Sequence, residues 1–274
     1  RVGIEIMGPE APRRITVHIQ AIQIETHIGE RIGAHGEVVK ALNGEDVVEA
    51  VAKLKADGVL AIAVSYLFSF LNSKHERRTR EIITELYPEA YVSISSEVFP
   101  QWREYERTST TVIDVYLKPR IDGYLTNLEA DLRKAGTTAP LIMRSNGGVM
   151  TTANAREQPV TMIRSGPAGG VIASLEIGTI LDIDAIMTAD VGGTSFDTCL
   201  ISAKRPAMTS NTELEWGIPI ATPMLDIRSI GAGGGSEAWV DSGGSLKVGP
   251  RSAGADPGPA CYGRGGTIAT STDA

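Results

Sequence analysis

The residues with the most chemical content are Asp190-Val191-Gly192-Gly193-Thr194-Ser195-Phe196-Asp197. An apolar segment, residues 185–189, leads into Asp190, and Cys199-Leu200-Ile201 follows. The pattern predicts strand, tight turn, strand. Paired glycines let backbone approach an anion and aim successive N–H groups at it, with positive φ expected at Gly193. Thr194 and Ser195 add hydroxyl donors. Asp190, at the strand end, is suited to hold a water on Mg²⁺, a hard cation that prefers oxygen ligands and keeps most of its waters. With an Asp at each end, the segment reads as a phosphate-binding turn rather than a plain Gly-Gly hairpin.

Four further glycine-rich runs could line the same site. Ser165-Gly166-Pro167-Ala168-Gly169-Gly170 opens a helical pattern over residues 167–181. It serves either an anion at a helix N-terminus or a chain turn with close helix packing. It is not a Walker motif, because no Gly-Lys-Ser/Thr follows. Gly231-Ala232-Gly233-Gly234-Gly235-Ser236 is flanked by apolar Met224-Leu225 and Trp239-Val240, so it reads as a packed site under a phosphate or adenine rather than a flexible connector. Ser145-Asn146-Gly147-Gly148 and residues 252–259 follow predicted strands and could edge a crevice. Asn146 offers donor and acceptor to an amide or carboxylate, although spacing alone favours a turn.

Other candidates carry less. His18, His27, His35 and His75 lack paired ligand spacing. His75-Glu76 begins a charged run to Arg80 that reads as a solvated helix face. Tyr105-Glu106-Arg107-Thr108 reads the same way, with an Arg facing the cleft as its alternative. Cys199 reads as a small core residue, and Cys261 as a loop thiol without a base.

The elements that must position these residues alternate. Residues 43–58 predict a helix with an Asn43 cap and a Gly58 stop. Residues 59–66 predict a strand covered on both faces, 72–86 a helix and 91–95 a strand. Residues 97–117 and 119–134 predict two successive helices divided at Pro119. Residues 141–143 predict a strand. Twelve glycines among residues 228–274 rule out a run of ordinary helices there. The class is α/β with largely parallel sheets.

The chain has 274 residues, enough for one large domain or two lobes at about 100–200 residues each. Its 26 Lys and Arg against 33 Asp and Glu leave a net charge of −7, which argues against a nucleic-acid partner. The longest apolar stretch, residues 59–71, is broken by Ser65 and Ser69. It falls short of the about 20 residues of a membrane span. Two cysteines make no disulfide framework, so a reducing, cytoplasmic setting is expected. The chain opens on Arg1 without a signal peptide or a Met, and an excised fragment is expected.

Several motifs in order resemble one family: His75-Glu76-Arg77-Arg78, Tyr105-Glu106-Arg107-Thr108-Ser109-Thr110, Ser145-Asn146-Gly147-Gly148, Ser165 to Gly170, the Asp190 turn, Gly231 to Ser236, and Val248-Gly249-Pro250 to Gly266. Their order and wording are similar to the hydantoinase A/5-oxoprolinase family, which includes ATP-using subunits of ketone carboxylases. The resemblance runs from about Gly36 to Ala274 and implies an actin/hexokinase-like ATPase fold of two lobes. Residues 1–137 would be the C-terminal part of the first lobe and 138–274 the N-terminal part of the second. Members use ATP to open a lactam or hydantoin ring, or to activate a ketone for carboxylation.

The resemblance also assigns roles. Catalysis falls to Asp190 and Asp197, with Asp190 on Mg²⁺. ATP falls to Gly192, Gly193, Thr194, Ser195, Gly231, Gly233, Gly234, Gly235 and Ser236. A cyclic amide falls to Ser145, Asn146, Gly147, Gly148, Ser165 and Gly166. A hydantoinase B-type subunit or domain is the implied partner. Two positions depart from the family wording: Phe196 stands where Thr is common, and Arg228 where His is common, which weighs against proton transfer at 228. No Asp-x-Gly-Gly-Thr precedes Asp190, and members continue beyond Ala274, so the chain is expected to be truncated at both ends and inactive alone.

Overall fold

A computed structural model describes residues 28–214 and 217–274, together with the paired backbone strands Ile4–Ile6 and Ile15–Val17. His18 and His27 lie outside the described residues. The chain divides into two compact units. The first takes the described residues up to Ile142, then Val149–Ile163 and Ser210–Pro223; the second takes Met143–Gly148, Arg164–Thr209 and Met224–Ala274.

In the first unit, helix α1 (Gly44–Ala56) begins where the Asn43 side chain accepts the Glu45 N–H at 3.1 Å. Acids in its first turn and lysines in its last suit the helix dipole. With α2 (Lys74–Leu86) it packs Val47, Val51, Ile82 and Ile83 against Ile62, Val64 and Ile94. Those three lie on strands Ala61–Val64 and Tyr91–Ile94, which pair in parallel. Successive strand residues face opposite ways, and Ser93 turns to the other face, where its hydroxyl reaches Asp114 at 2.7 Å. The expected double cover is therefore present, with α4 on that second face.

Two expectations fail here. After the short α3 (Ser95–Val98), α4 runs unbroken over Glu104–Lys134 with Pro119 inside it. Proline removes one helical hydrogen bond. Packing on both sides holds the helix, since Asp114, Val115, Lys118 and Leu125 are all buried. The helix α5 (Thr152–Glu157) follows. The charged segments are also solvated only in part: Arg77 and Arg78 are exposed, but His75, Glu76 and, in the second motif, Arg107 are buried. Glu76 accepts from Tyr66 N–H (2.9 Å), Ser95 Oγ (2.6 Å) and Ser96 N–H (2.8 Å), and Arg107 donates to Ser95 Oγ, Gln101 O and Tyr66 O. His75 Nδ1 meets Glu30 at 2.8 Å.

In the second unit, α6 (Ser165–Ile180) packs Ala168 and Val171 on Cys199, Ile201, Leu225 and Ile227. Cys199 is the core residue expected. Ala185–Met187 pairs with Leu200–Ser202, and Phe196–Thr198 lies between Asp190–Val191 and Arg228–Ile230. All these pairings are antiparallel, against the expectation of largely parallel sheets. Among the described residues only Ala61–Val64 and Tyr91–Ile94 pair in parallel. The glycine-rich tail forms strands and short 3₁₀ turns, without an α-helix.

Candidate functional site

The Asp190 turn is a hairpin closed by Gly192 N–H to Ser195 O at 2.9 Å. Asp190 stands opposite Asp197, and Val191 opposite Phe196. Among the described residues, the N–H groups of Gly193, Thr194 and Ser195 make no hydrogen bond, so three donors at the tip are available. Gly193 does not have the positive φ expected of it. Its value is space, since nothing lies within 4 Å of where its Cβ would stand.

Gly231 to Ser236 packs against this hairpin. Gly234 N–H donates to Gly192 O at 2.8 Å and Gly235 N–H to Gly193 O at 2.7 Å. A Cβ on Gly233 would stand 2.6 Å from backbone atoms of Thr194 and Ser195, and one on Gly235 2.9 Å from Gly193 O. Thr272 then braces Gly234, its N–H and hydroxyl both donating to Gly234 O. These glycines serve close backbone packing that fixes the hairpin, and the Gly192 and Gly193 carbonyls are spent on that packing while the tip N–H groups are not.

In front of the hairpin lies a cavity of about 230 Å³ lined by Pro167, Gly170, Val171, Ser174, Thr188, Ala189, Asp190, Asp197 and Ile227. It brings the Asp190 segment together with the first turns of α6. That helix starts after Arg164, at φ 62°, whose guanidinium donates to Ile227 O at 3.0 Å. Ser165 and Gly166 occupy its first two positions and are not among the lining residues. Cβ atoms built on Gly166, Gly169 or Gly170 would meet nothing within 4 Å. Close helix packing therefore does not explain them; Gly178, whose Cβ would stand 2.3 Å from Ile186, is the packing glycine of α6. The bare glycine surface leaves the backbone open to approach.

Ser145 to Gly148 forms a separate tight turn. Arg144 N–H reaches Gly148 O at 2.8 Å, Asn146 Oδ1 accepts the Gly148 N–H at 3.0 Å, and Ser145 O accepts from Leu225 N–H. Gly147 is required by its φ of 85° and by Ile172, 2.5 Å from its missing Cβ. None of the four lines the cavity. Cys261 is exposed beside Asp273, whose carboxylate pushes the thiol above its ordinary range, so it is no poised nucleophile. Arg228 pairs with Asp226 at 3.0 Å. Ser229, which sequence reasoning passed over, donates to Asp197 Oδ1.

The cavity sets the Asp190 and Asp197 carboxylates beside Pro167 and Gly170 of α6, and the hairpin tip carries three free N–H groups, at Gly193, Thr194 and Ser195, that are not among the lining residues; a phosphate held through a hydrated cation suits this set. The cavity volume is below the about 300–1,000 Å³ of sites that take a whole drug-sized ligand, which matches part of a nucleotide rather than all of it. Among the described residues no three His, Cys, Asp or Glu side chains form a ready metal cluster. Mg²⁺ held by one carboxylate, phosphates and water needs none.

Residues 107–274 match the hydantoinase/oxoprolinase family, and residues 14–87 match the hydantoinase/oxoprolinase N-terminal region. The chain belongs to the hydantoinase/oxoprolinase family. It is 40% identical over 248 residues to the caprolactamase subunit alpha of Pseudomonas jessenii, covering 90% of this chain and 36% of that one. It is 39% identical over 256 residues to the acetophenone carboxylase gamma subunit of Aromatoleum aromaticum, covering 90% and 34%. The crystal structure of the ATP-dependent caprolactamase superposes with a TM-score of 0.75 at 39% identity over 90% of this chain and 36% of that one. Nucleotide-free acetone carboxylase superposes with 0.74 at 29% over 89% and 35%. The α/β fold is thus shared with both, and the chain spans about a third of these relatives' lengths. Among the described residues, no helix is long and apolar enough to cross a membrane.

Proposed function

We propose that this hydantoinase/oxoprolinase chain carries the second phosphate loop of an actin/hexokinase-like ATP site, and that the whole protein opens a cyclic amide such as 5-oxoproline or a hydantoin. The observation that supports this most is the cavity shared by Asp190, Asp197 and the bare glycine start of α6. ATP supplies the phosphoryl group that turns a poorly reactive amide oxygen into a leaving group. The chain's own part is positioning and electrostatics, as phosphoryl transfer requires. The N–H groups of Gly193, Thr194 and Ser195 bind phosphate oxygens. Asp190 holds the hydrated Mg²⁺. Gly231, Gly233, Gly234, Gly235 and Ser236 keep Gly192 and the rest of the hairpin in place. Ser145, Asn146, Gly147, Gly148, Ser165 and Gly166 are assigned to the cyclic amide, with Asn146 Nδ2 as a donor not used by its turn. A hydantoinase B-type partner is in keeping with two relatives named as subunits, and the expected compartment is the cytoplasm.

Near-equal identity to the acetophenone carboxylase subunit favours one second reading, an ATP-dependent ketone carboxylase. Purified full-length protein with its partner should release phosphate in step with glutamate from 5-oxoproline, or with opened hydantoin, and Asp190→Asn should abolish most of that release while staying folded. Bicarbonate incorporation into a ketone instead would establish the second reading. Phosphate release unaffected by Asp190→Asn would remove Asp190 from the site.

A further inference from the structure

The cavity holds two carboxylates, and the fold treats them differently. Asp190, Asp197 and Ser229 form one row across three antiparallel strands, Asp190 opposite Asp197 and Asp197 opposite Ser229. Directly opposed residues share a face of the sheet and interact there. Both oxygens of Asp197 are engaged: Ser195 Oγ donates to Oδ2 at 3.1 Å, and Ser229 Oγ donates to Oδ1. Among the described residues, the Asp190 carboxylate has neither a hydrogen-bond donor nor a cation against it. Like charges directly opposite are unfavourable, so drawing Asp197 toward the Ser229 side of the row relieves Asp190 of its neighbour.

We propose that Ser229 is a positioning residue that, with Ser195, pins Asp197 and leaves Asp190 as the lining carboxylate free to take a hydrated cation and its phosphate. This rests on the ATP reading above. Without the hydroxyl at 229, Asp197 is released toward Asp190, and the two carboxylates then share one cation in a geometry the turn does not favour. Ser229 is exposed on a strand, so threonine, a good strand former, keeps the hydroxyl without a packing cost.

The test uses the full-length protein and Mg-ATP. Calorimetric titration and amide-coupled phosphate release are measured for Ser229→Ala, Ser229→Thr, Asp197→Asn and the Ser229→Ala/Asp197→Asn pair. Ser229→Ala should weaken Mg-ATP binding and lower kcat, each by about tenfold, at unchanged thermal midpoint and unchanged KM for the amide. Ser229→Thr should restore most of both. In the Asp197→Asn background, Ser229→Ala should change Mg-ATP affinity no further, the sign of two residues acting through one contact. Full affinity and kcat in Ser229→Ala, or an equal loss in the Asp197→Asn background, would overturn the positioning role. No binding heat from the unaltered protein would overturn the ATP reading, and this role with it.

Discussion

Gly233 lies so close behind the Asp190 hairpin that a Cβ on it would stand 2.6 Å from the amide nitrogen of Ser195. The obstructing atoms are backbone, and backbone cannot rotate aside. Gly233→Ala must therefore push the hairpin forward or break the bonds from Gly234 and Gly235 to Gly192 and Gly193. Mg-ATP affinity should fall at least about tenfold, or about 1.4 kcal/mol. The thermal midpoint should fall with it. Calorimetry showing full affinity would mean that the packed loop does not govern the hairpin.

Gly193→Val separates the two effects. No atom lies within 4 Å of the missing Cβ and the backbone is not at positive φ, so the folded chain should keep its stability. The valine would instead stand over the tip N–H groups. Affinity for Mg-ATP should drop by about tenfold or more with the melting temperature unchanged. Undiminished binding would identify the turn as a plain hairpin.

How far this was legible in the sequence follows from how local each signal is. The Asn43 cap is written in a few adjacent residues and sits where they place it, whereas α6 begins at Ser165, ahead of the start expected at Pro167. The Asp190 turn is equally local, since Asp190 and Asp197 face each other across it. The task of the Gly231 run was not legible, because it depends on a hairpin some 40 residues away that its glycines must touch. Buried Glu76 and Arg107 look like surface charge in one dimension. Only the approach of Tyr66, Ser95 and Gln101 makes a polar core of them. Pro119 carries a strong local stop signal, and packing along both halves of α4 overrides it. Antiparallel pairing likewise depends on partners that alternation of helices and strands does not reveal, such as Arg228–Ile230 beside Phe196–Thr198.

Arg107 offers a test of that polar core. Its three donors reach Ser95 Oγ at 3.1 Å, Gln101 O at 3.0 Å and Tyr66 O at 2.8 Å, and the same Ser95 hydroxyl donates to buried Glu76 at 2.6 Å. Removing the cation leaves a buried carboxylate and carbonyls uncompensated. Arg107→Met should destabilise the first unit by about 3–5 kcal/mol. Arg107→Lys should recover little, because a single ammonium cannot reproduce a planar fork of donors. Amide exchange across Ala61–Val64 and Tyr91–Ile94 should accelerate in both variants. Unchanged protection would show the network to be dispensable.

Asp114 makes a prediction about pH. It is fully buried, accepting from Ser93 Oγ at 2.7 Å and Val160 N–H at 3.1 Å, with Lys118 and Glu157 nearby. Burial raises its carboxyl above the ordinary carboxylate range, outweighing the two hydrogen bonds and Lys118. The folded chain therefore binds this proton more readily than the unfolded chain does. Wherever the folded state holds more protons, stability falls as pH rises. The contribution of Asp114 is thus fully present below the unfolded carboxylate value and is lost as pH climbs through the raised folded value. Asp114→Asn cannot titrate, so the difference in stability between the parent and this variant should shift against the parent over that interval and be level on either side of it. The measurement is the melting temperature and the exchange rate of the Val160 amide at a series of pH values from acid to neutral. Parallel curves for the two proteins would mean that the buried carboxyl titrates in the folded chain as it does in the unfolded one.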